Sequence, residues 1–323
     1  MRFDAFLGGS YVHQAYTADQ ERTVNWYPEK LQVPTASSQQ VLLPTPGVEL
    51  LYTIDDDPNA NLVGGPGRAH YVINGREFAV IGLGLWELEK AGIKGLQGSF
   101  DPPHSIANPA TISCNGPGGQ LFVTSGGNGY YATLASDPTG LVNIPALDGL
   151  ADFGGFLDGY FVALSVTNST LYFSNLNDGS VWDTGVDFAA RTLASDRWKA
   201  LKVLGRGIWL FGEHTTEVWF NTGDSSNPFQ PHPSGAMEFG IAAPWSAEVS
   251  GNNIIWLGQT RNGRTAVFKA TGFTPETIST YPLEETFQGY VARTSAVADA
   301  YSESGHSFYL LNFDTDDKTH CWD

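Results

Sequence analysis

Six short segments of this chain share one grammar, in which a tight-turn glycine leads into an aliphatic and aromatic run that ends on another turn. They begin at Asn74-Gly75, Gly118-Gly119, Asp158-Gly159, Arg206-Gly207, Gly251-Asn-Asn253 and Gly305-His306. The six turn glycines 75, 119, 159, 207, 251 and 305 are separated by 44, 40, 48, 44 and 54 residues. A four-stranded propeller blade takes roughly 40–50 residues, so this spacing restricts the chain more than any other feature. Further runs follow most of the units, at Gly129–Leu134, Ser169–Ser174, Thr216–Phe220 and Ala266–Lys269, and their alternation fits strands with two different faces.

The expected fold is therefore all-β: a β-propeller of about six blades, seven at the upper count, with the last blade incomplete or closed by N-terminal strands. Residues 1–67 match the repeat poorly and read as an N-terminal extension, with closing strands at Gln40–Leu43 and Val48–Ile54 around Pro44-Thr-Pro46-Gly47. Residues 68–323 then carry the blades. The chain ends at Thr319-His-Cys-Trp-Asp323, in what reads as the middle of a blade. A two-sheet sandwich or a pair of small β domains would also show short strands and Gly-rich turns, and the regular spacing argues against both. Ser99–Asn108 and the Pro-rich Ser225–Ser234 read as excursions between blades.

The 37 Gly and 18 Pro among 323 residues suit many tight turns and suit long helices badly, and no helical core is expected. With 34 acidic against 17 basic residues the formal charge is −17, which opposes general affinity for nucleic acid or anionic lipid. Solubility explains that charge most simply, and it also suits a surface that DNA slides past without sticking. No 18-residue apolar run exists, and Met1–Gln14 carries Arg2 and Asp4, so neither a spanning helix nor a signal peptide is expected, and the protein is expected to be soluble and made in a cytoplasm. Cys114 and Cys321 are too few for a disulfide framework and read as reduced thiols in buried strands.

Searches for chemistry give little. Glycoside hydrolysis needs two carboxylates across one bond, and Asp158, Glu213, Glu238, Glu248 and Asp299 lie near expected strands. Acidic residues at strand ends are more often solvated or bonded to turns, so no catalytic residue is assigned. Asn175-Leu-Asn177-Asp-Gly179-Ser-Val181-Trp182 loosely resembles a sialidase Asp-box turn, matching only at Gly179 and Trp182. The seven histidines, at 13, 70, 104, 214, 232, 306 and 320, lack metal-site spacing. Asp55–Asp57 and Asp314–Asp317 lack the glycine and terminal glutamate of an EF-hand loop. Neither a phosphate loop nor a G-x-S-x-G elbow is present. No metal or cofactor is expected.

The middle of the chain carries more specific words. Gly155-Phe-Leu-Asp-Gly-Tyr-Phe161, Phe173–Asp183, Leu210-Phe-Gly-Glu-His-Thr-Thr-Glu-Val-Trp-Phe-Asn-Thr-Gly-Asp224 and Gly240-Ile-Ala-Ala-Pro244 resemble the packaged-DNA-stabilisation (tail-hub) proteins of short-tailed bacteriophages. Arg22-Thr-Val-Asn-Trp-Tyr-Pro28, Thr45-Pro-Gly47 and Thr274–Ser279 match the same family in the same order, and the C-terminal Cys321-Trp-Asp323 resembles an internal strand of it. The resemblance implies a structural, non-enzymatic subunit of the virion tail, assembled in the bacterial host cytoplasm. It implies a homo-oligomeric ring, usually a hexamer, with a portal adaptor, a tail needle and tailspikes as partners. DNA would be retained by plugging, without sequence-specific binding. Asn221–Gly235 and Asp183–Trp198, with Phe229, Phe188 and Trp198, are candidate ring contacts or else pack on their own blades. The competing functional reading is a carbohydrate-binding or glycoside-hydrolysing propeller; a protein-interaction propeller outside the tail would share the fold but not these words.

Overall fold

The computed structural model describes residues 11–12, 20–21, 23–30, 40–45, 65–89, 92–100, 105–116, 119–135, 140–191, 194–224, 227–259, 263–303 and 305–323. Two short antiparallel pairs come first, β1 (Tyr11–Val12) with β2 (Gln20–Glu21) and β3 (Trp26–Lys30) with β4 (Gln40–Pro44). Blade 1 follows as β5 (Gly67–Ile73), β6 (Arg76–Ile81), β7 (Gly84–Glu89) and β8 (Gly92–Ser99). Blade 2 is β9 (Thr111–Cys114), β10 (Gln120–Ser125), β11 (Asn128–Thr133) and β12 (Leu141–Asn143). Blade 3 is β13 (Phe153–Leu157), β14 (Tyr160–Ser165), β15 (Thr170–Phe173) and β16 (Phe188–Ala190).

Blade 4 consists of β17 (Trp198–Leu204), β18 (Gly207–Gly212), β19 (Thr216–Asn221) and β20 (Phe229–Met237). Blade 5 adds a fifth strand: β21 (Gly240–Ile241) and β22 (Glu248–Ser250) both pair with β23 (Asn253–Gln259), which leads to β24 (Thr265–Thr271) and β25 (Thr274–Thr277). One short helix, α1 (Tyr281–Gln288), precedes the three-stranded blade 6 of β26 (Val297–Glu303), β27 (His306–Phe313) and β28 (Lys318–Trp322). The result is a six-bladed β-propeller of antiparallel sheets.

The inner strands β5, β9, β13, β17, β22 and β26 contact one another in that order. Each blade thus buries its faces against its neighbours, and the core lies between blades. Phe122 of blade 2 meets Phe161 and Trp182 of blade 3, Trp209 of blade 4 lies against Trp256 of blade 5, and Leu257 and Val267 of blade 5 share a cluster with Tyr309 and Leu311 of blade 6. Glycine permits the closest approaches: a side chain at Gly154 would overlap Phe122 and Thr124, and one at Gly155 would overlap Val203, so β13 fits between blades 2 and 4 only with that pair.

All six marker glycines fall at the turn between the first two long strands of a blade. Ile73 pairs with Arg76 and Leu157 with Tyr160, so Asn74-Gly75 and Asp158-Gly159 are two-residue hairpin loops with positive φ at both positions. Gly119, Gly251 and Gly305 also take positive φ, whereas at the fourth turn Gly205 does so and Gly207 begins the strand.

Several expectations are corrected. Ser225–Ser234 is in good part not an excursion: Phe229–Met237 is the outer strand of blade 4, and its Pro231 and Pro233 are accepted because that edge pairs on one side only. Cys114 is buried in β9 as expected, but Cys321 is exposed in β28, and both are free. The N-terminal β3 and β4 pair with each other, and they reach blade 6 through side chains: Tyr27 packs edge-on against His306 and Phe308. Val48–Ile54 lies outside the described residues. Among the described residues no helix is long and apolar enough to cross a membrane.

Candidate functional site

The five carboxylates considered for catalysis do not converge. Asp158 sits in the β13–β14 turn 3.5 Å from Arg206, Glu213 follows β18 and is 2.8 Å from Lys199, and Glu248 on β22 is 2.5 Å from Lys202. The Lys199 ammonium holds the Glu213 carboxyl below its usual value. Glu238 is exposed between β20 and β21, and Asp299 is exposed on β26, accepting from the Ala300 N–H at 2.8 Å. Asp314–Asp316 forms a short 3-10 turn, with Asp316 accepting the Val291 N–H at 3.1 Å, and Asp55–Asp57 lies outside the described residues. Among the described residues no group of three histidine, cysteine or acidic side chains could hold a metal.

The turn that resembles an Asp-box is a packing device. The Trp182 indole donates to Gly179 O at 2.8 Å while its ring is buried on Phe122, and Gly179 has no room for a side chain because Phe161 covers it. Asp178 accepts from the Ser180 hydroxyl and N–H, and these bonds hold its carboxyl below the usual range.

The long word Leu210–Asp224 builds something the sequence did not announce. It crosses from β18 to β19, and its buried Glu217, 1% exposed, faces Arg191, 4% exposed, from the end of blade 3. Arg191 Nε lies 2.9 Å from Glu217 Oε1, an ion pair rather than a well-aligned hydrogen bond. The same guanidinium lies 3.1 Å from Asp196 Oδ1, bonds the Thr215 hydroxyl and covers the ring of Trp198. Asp196 accepts from the N–H groups of His214 and Thr215 at 2.8 and 3.1 Å and from the Thr215 hydroxyl at 2.8 Å. Burial raises the Asp196 carboxyl, but those hydrogen bonds and the Arg191 charge outweigh it and leave it below the ordinary value. Trp219 donates to the other Glu217 oxygen at 3.0 Å, and Gly212 is required because a side chain there would overlap Asp196 and Arg191.

A second word meets the first. A side chain at Gly240 would overlap the backbone of Glu213 and His214, so Gly240-Ile-Ala-Ala-Pro244 seats β21 directly on the β18–β19 turn. Pro244 then opens a 3-10 turn whose Ser246 donates to Ala243 O and accepts from Leu257 N–H, while the fully buried Tyr309 of blade 6 donates to Ser246 O at 2.7 Å. Blades 3 to 6 are thereby tied in series.

The chain from residue 7 to residue 323 matches the model of a phage-stabilisation family described as Bacteriophage P22 Gp10, beta-propeller. The chain belongs to this family. It is thus a structural bacteriophage β-propeller. No protein in a search of the curated proteins matches the chain. Among solved structures it is similar to the extracellular domain of a one component system, BT4673, from B. thetaiotaomicron (TM-score 0.52, 10% identity, covering 85% of this chain and 34% of that one). It is also similar to PorZ, a surface component of the type-IX secretion system of Porphyromonas gingivalis (TM-score 0.44, 14% identity, 80% and 33%), and to virginiamycin B lyase from Staphylococcus aureus (TM-score 0.47, 11% identity, 91% and 86%). This Gp10-type chain thus spans about a third of the BT4673 and PorZ chains, and the BT4673 likeness is one of fold alone.

Of the three aromatics considered as ring contacts, Phe229 and Trp198 are fully buried and serve the core of blades 3 and 4. Phe188 is 45% exposed on the outer strand of blade 3, near the exposed Leu176, Val181 and Val186 of the β15–β16 connection. What the sequence missed is an open groove of about 540 Å³ on the face that carries the glycine hairpins, lined by Trp209, Phe220, His232 and Phe273 and rimmed by Asp158, Arg206, Asn221 and Asn252. Its aromatics belong to strands and turns where a core role is the ordinary expectation.

Proposed function

We propose that this propeller is a tail-hub subunit: it joins head to tail, closes the DNA exit channel and so retains packaged DNA by assembly rather than by contacts to bases or phosphates. The observation that carries the reading is the family match over residues 7–323. The structure supports it through rigidity, since the buried Arg191–Asp196–Glu217 network ties blade 3 to blade 4 and Gly240 seats β21 directly on the β18–β19 turn. A stiff disc with short, protected edges is a suitable wall for a channel, and a net charge of −17 lets DNA pass without adhering.

On this reading the protein is not an enzyme, assembles in the host cytoplasm and forms a ring, six-membered by family resemblance, beneath a portal adaptor with a tail needle and tailspikes as neighbours. Residues 1–67 act as an extension and 68–323 as the propeller body. The test is to mix the purified chain with a portal and adaptor complex and to image the product by electron microscopy. A ring of propellers below the adaptor is the expected result, and no added density would refute the hub.

A further inference from the structure

The groove on the hairpin face has a composition that the assembly role does not require. Its floor is Trp209, 3% exposed and fixed between Phe211 and Trp256. Its walls are the His232 and Phe273 rings, with centroids 4.6 Å apart, and Phe220, 5.6 Å from His232. Phe273 keeps 37% of its surface open to solvent, so its ring is accessible from the groove.

Polar groups with unspent bonding capacity point the same way. The Trp209 indole, a donor through its ring N–H, is part of the lining. The Asn252 side chain is exposed at the β22–β23 turn, and Asn221 uses its oxygen on Gly223 N–H at 2.8 Å, leaving its amide N–H groups to spare. Arg206 and Asp158, 3.5 Å apart, cancel each other's charge.

We infer that this groove binds a neutral saccharide, with a sugar ring laid on the Phe273 and His232 faces and its hydroxyls meeting Trp209, Asn221 and Asn252. The balance of the site selects that chemistry. Exposed aromatic faces take up the C–H faces of a sugar ring, and hydroxyls both donate and accept, as neutral amides and an indole N–H require. An anion finds no net positive charge here, on a chain that carries −17 overall. The volume of about 540 Å³ falls within the range of small-molecule sites. The proposal concerns binding alone and does not depend on the hub reading.

The test is saturation-transfer NMR, with a tryptophan-fluorescence titration, of the full chain against malto-, cello-, manno- and chito-oligosaccharides. Separate arms use a proline-rich peptide and inorganic phosphate. Saturable binding of at least one neutral oligosaccharide is expected, weakened roughly tenfold or more by Phe273→Ala and by Asn252→Ala, two exposed positions that tolerate truncation. Phe188→Ala, exposed on blade 3 outside the groove, is expected to leave that affinity unchanged. The proposal is overturned if no oligosaccharide in the panel binds, if Phe273→Ala binds as the parent does, or if only the peptide or phosphate binds.

Discussion

Arg191 carries a positive charge almost out of reach of water, and its two carboxylates come from different places in the chain: Asp196 from the β16–β17 connection and Glu217 from β19. Such a triad adds little over a well-packed apolar core, but removing one member leaves the others charged and unpaired. Arg191→Met is therefore expected to cost about 3–5 kcal/mol of stability, seen as a lower urea midpoint, and Glu217→Met in the same chain to restore part of it. An unchanged midpoint in Arg191→Met would mean the network is solvated. Gly240→Ala acts by volume rather than charge. Its methyl would meet the Glu213 and His214 backbone, which cannot step aside without moving the β18–β19 turn, and the expected loss is about 1–3 kcal/mol or more on thermal unfolding.

At the level of strands and turns, the same network makes blade 4 sensitive to acid. The Asp196 carboxyl is lower in the folded chain than the unfolded value of about 3.9, so its contribution is fully present above about pH 4 and is lost as the pH falls through the folded value. Asp178 adds in the same sense, while Asp152, which burial raises, opposes both. The urea midpoint is expected to fall below about pH 4, and Asp196→Asn to show a shallower fall there; an identical slope in both proteins would remove Asp196 from the account. The hairpins were legible in the sequence because positive φ favours glycine, asparagine and aspartate, and Asn74-Gly75 and Asp158-Gly159 display that preference in two residues; at the fourth turn the positive φ falls on Gly205 rather than the marker Gly207. Strand β20 was hidden by its own prolines, which read as a loop until its edge position is known. The buried triad was hidden for another reason: Arg191, Asp196 and Glu217 look like surface charges in a chain with 16% charged residues, and only the three-dimensional approach of two segments reveals their burial. The groove shares that cause, since Trp209, Phe220, His232 and Phe273 come from two blades and four separate elements or turns.

Across the whole molecule the charge of −17 is the property that bears most directly on the proposed retention of DNA without binding it. Non-specific affinity for duplex DNA arises mainly from basic groups that replace condensed counterions, and here acidic residues outnumber basic ones two to one. Several of the bases are already engaged: Arg76 with Glu87, Arg191 with Asp196 and Glu217, Lys199 with Glu213, Lys202 with Glu248 and Arg264 with Glu284. Each such pair engages a cation that phosphate would otherwise meet, while the net charge stays at −17. The purified chain is thus expected to leave duplex DNA unretarded in a gel-shift experiment from about 0.15 M salt down to about 0.05 M, where screening is weaker and a basic patch would show itself. A retarded band that strengthens as salt is lowered would reveal a localised phosphate-binding surface and would count against the proposed retention by closure of the channel.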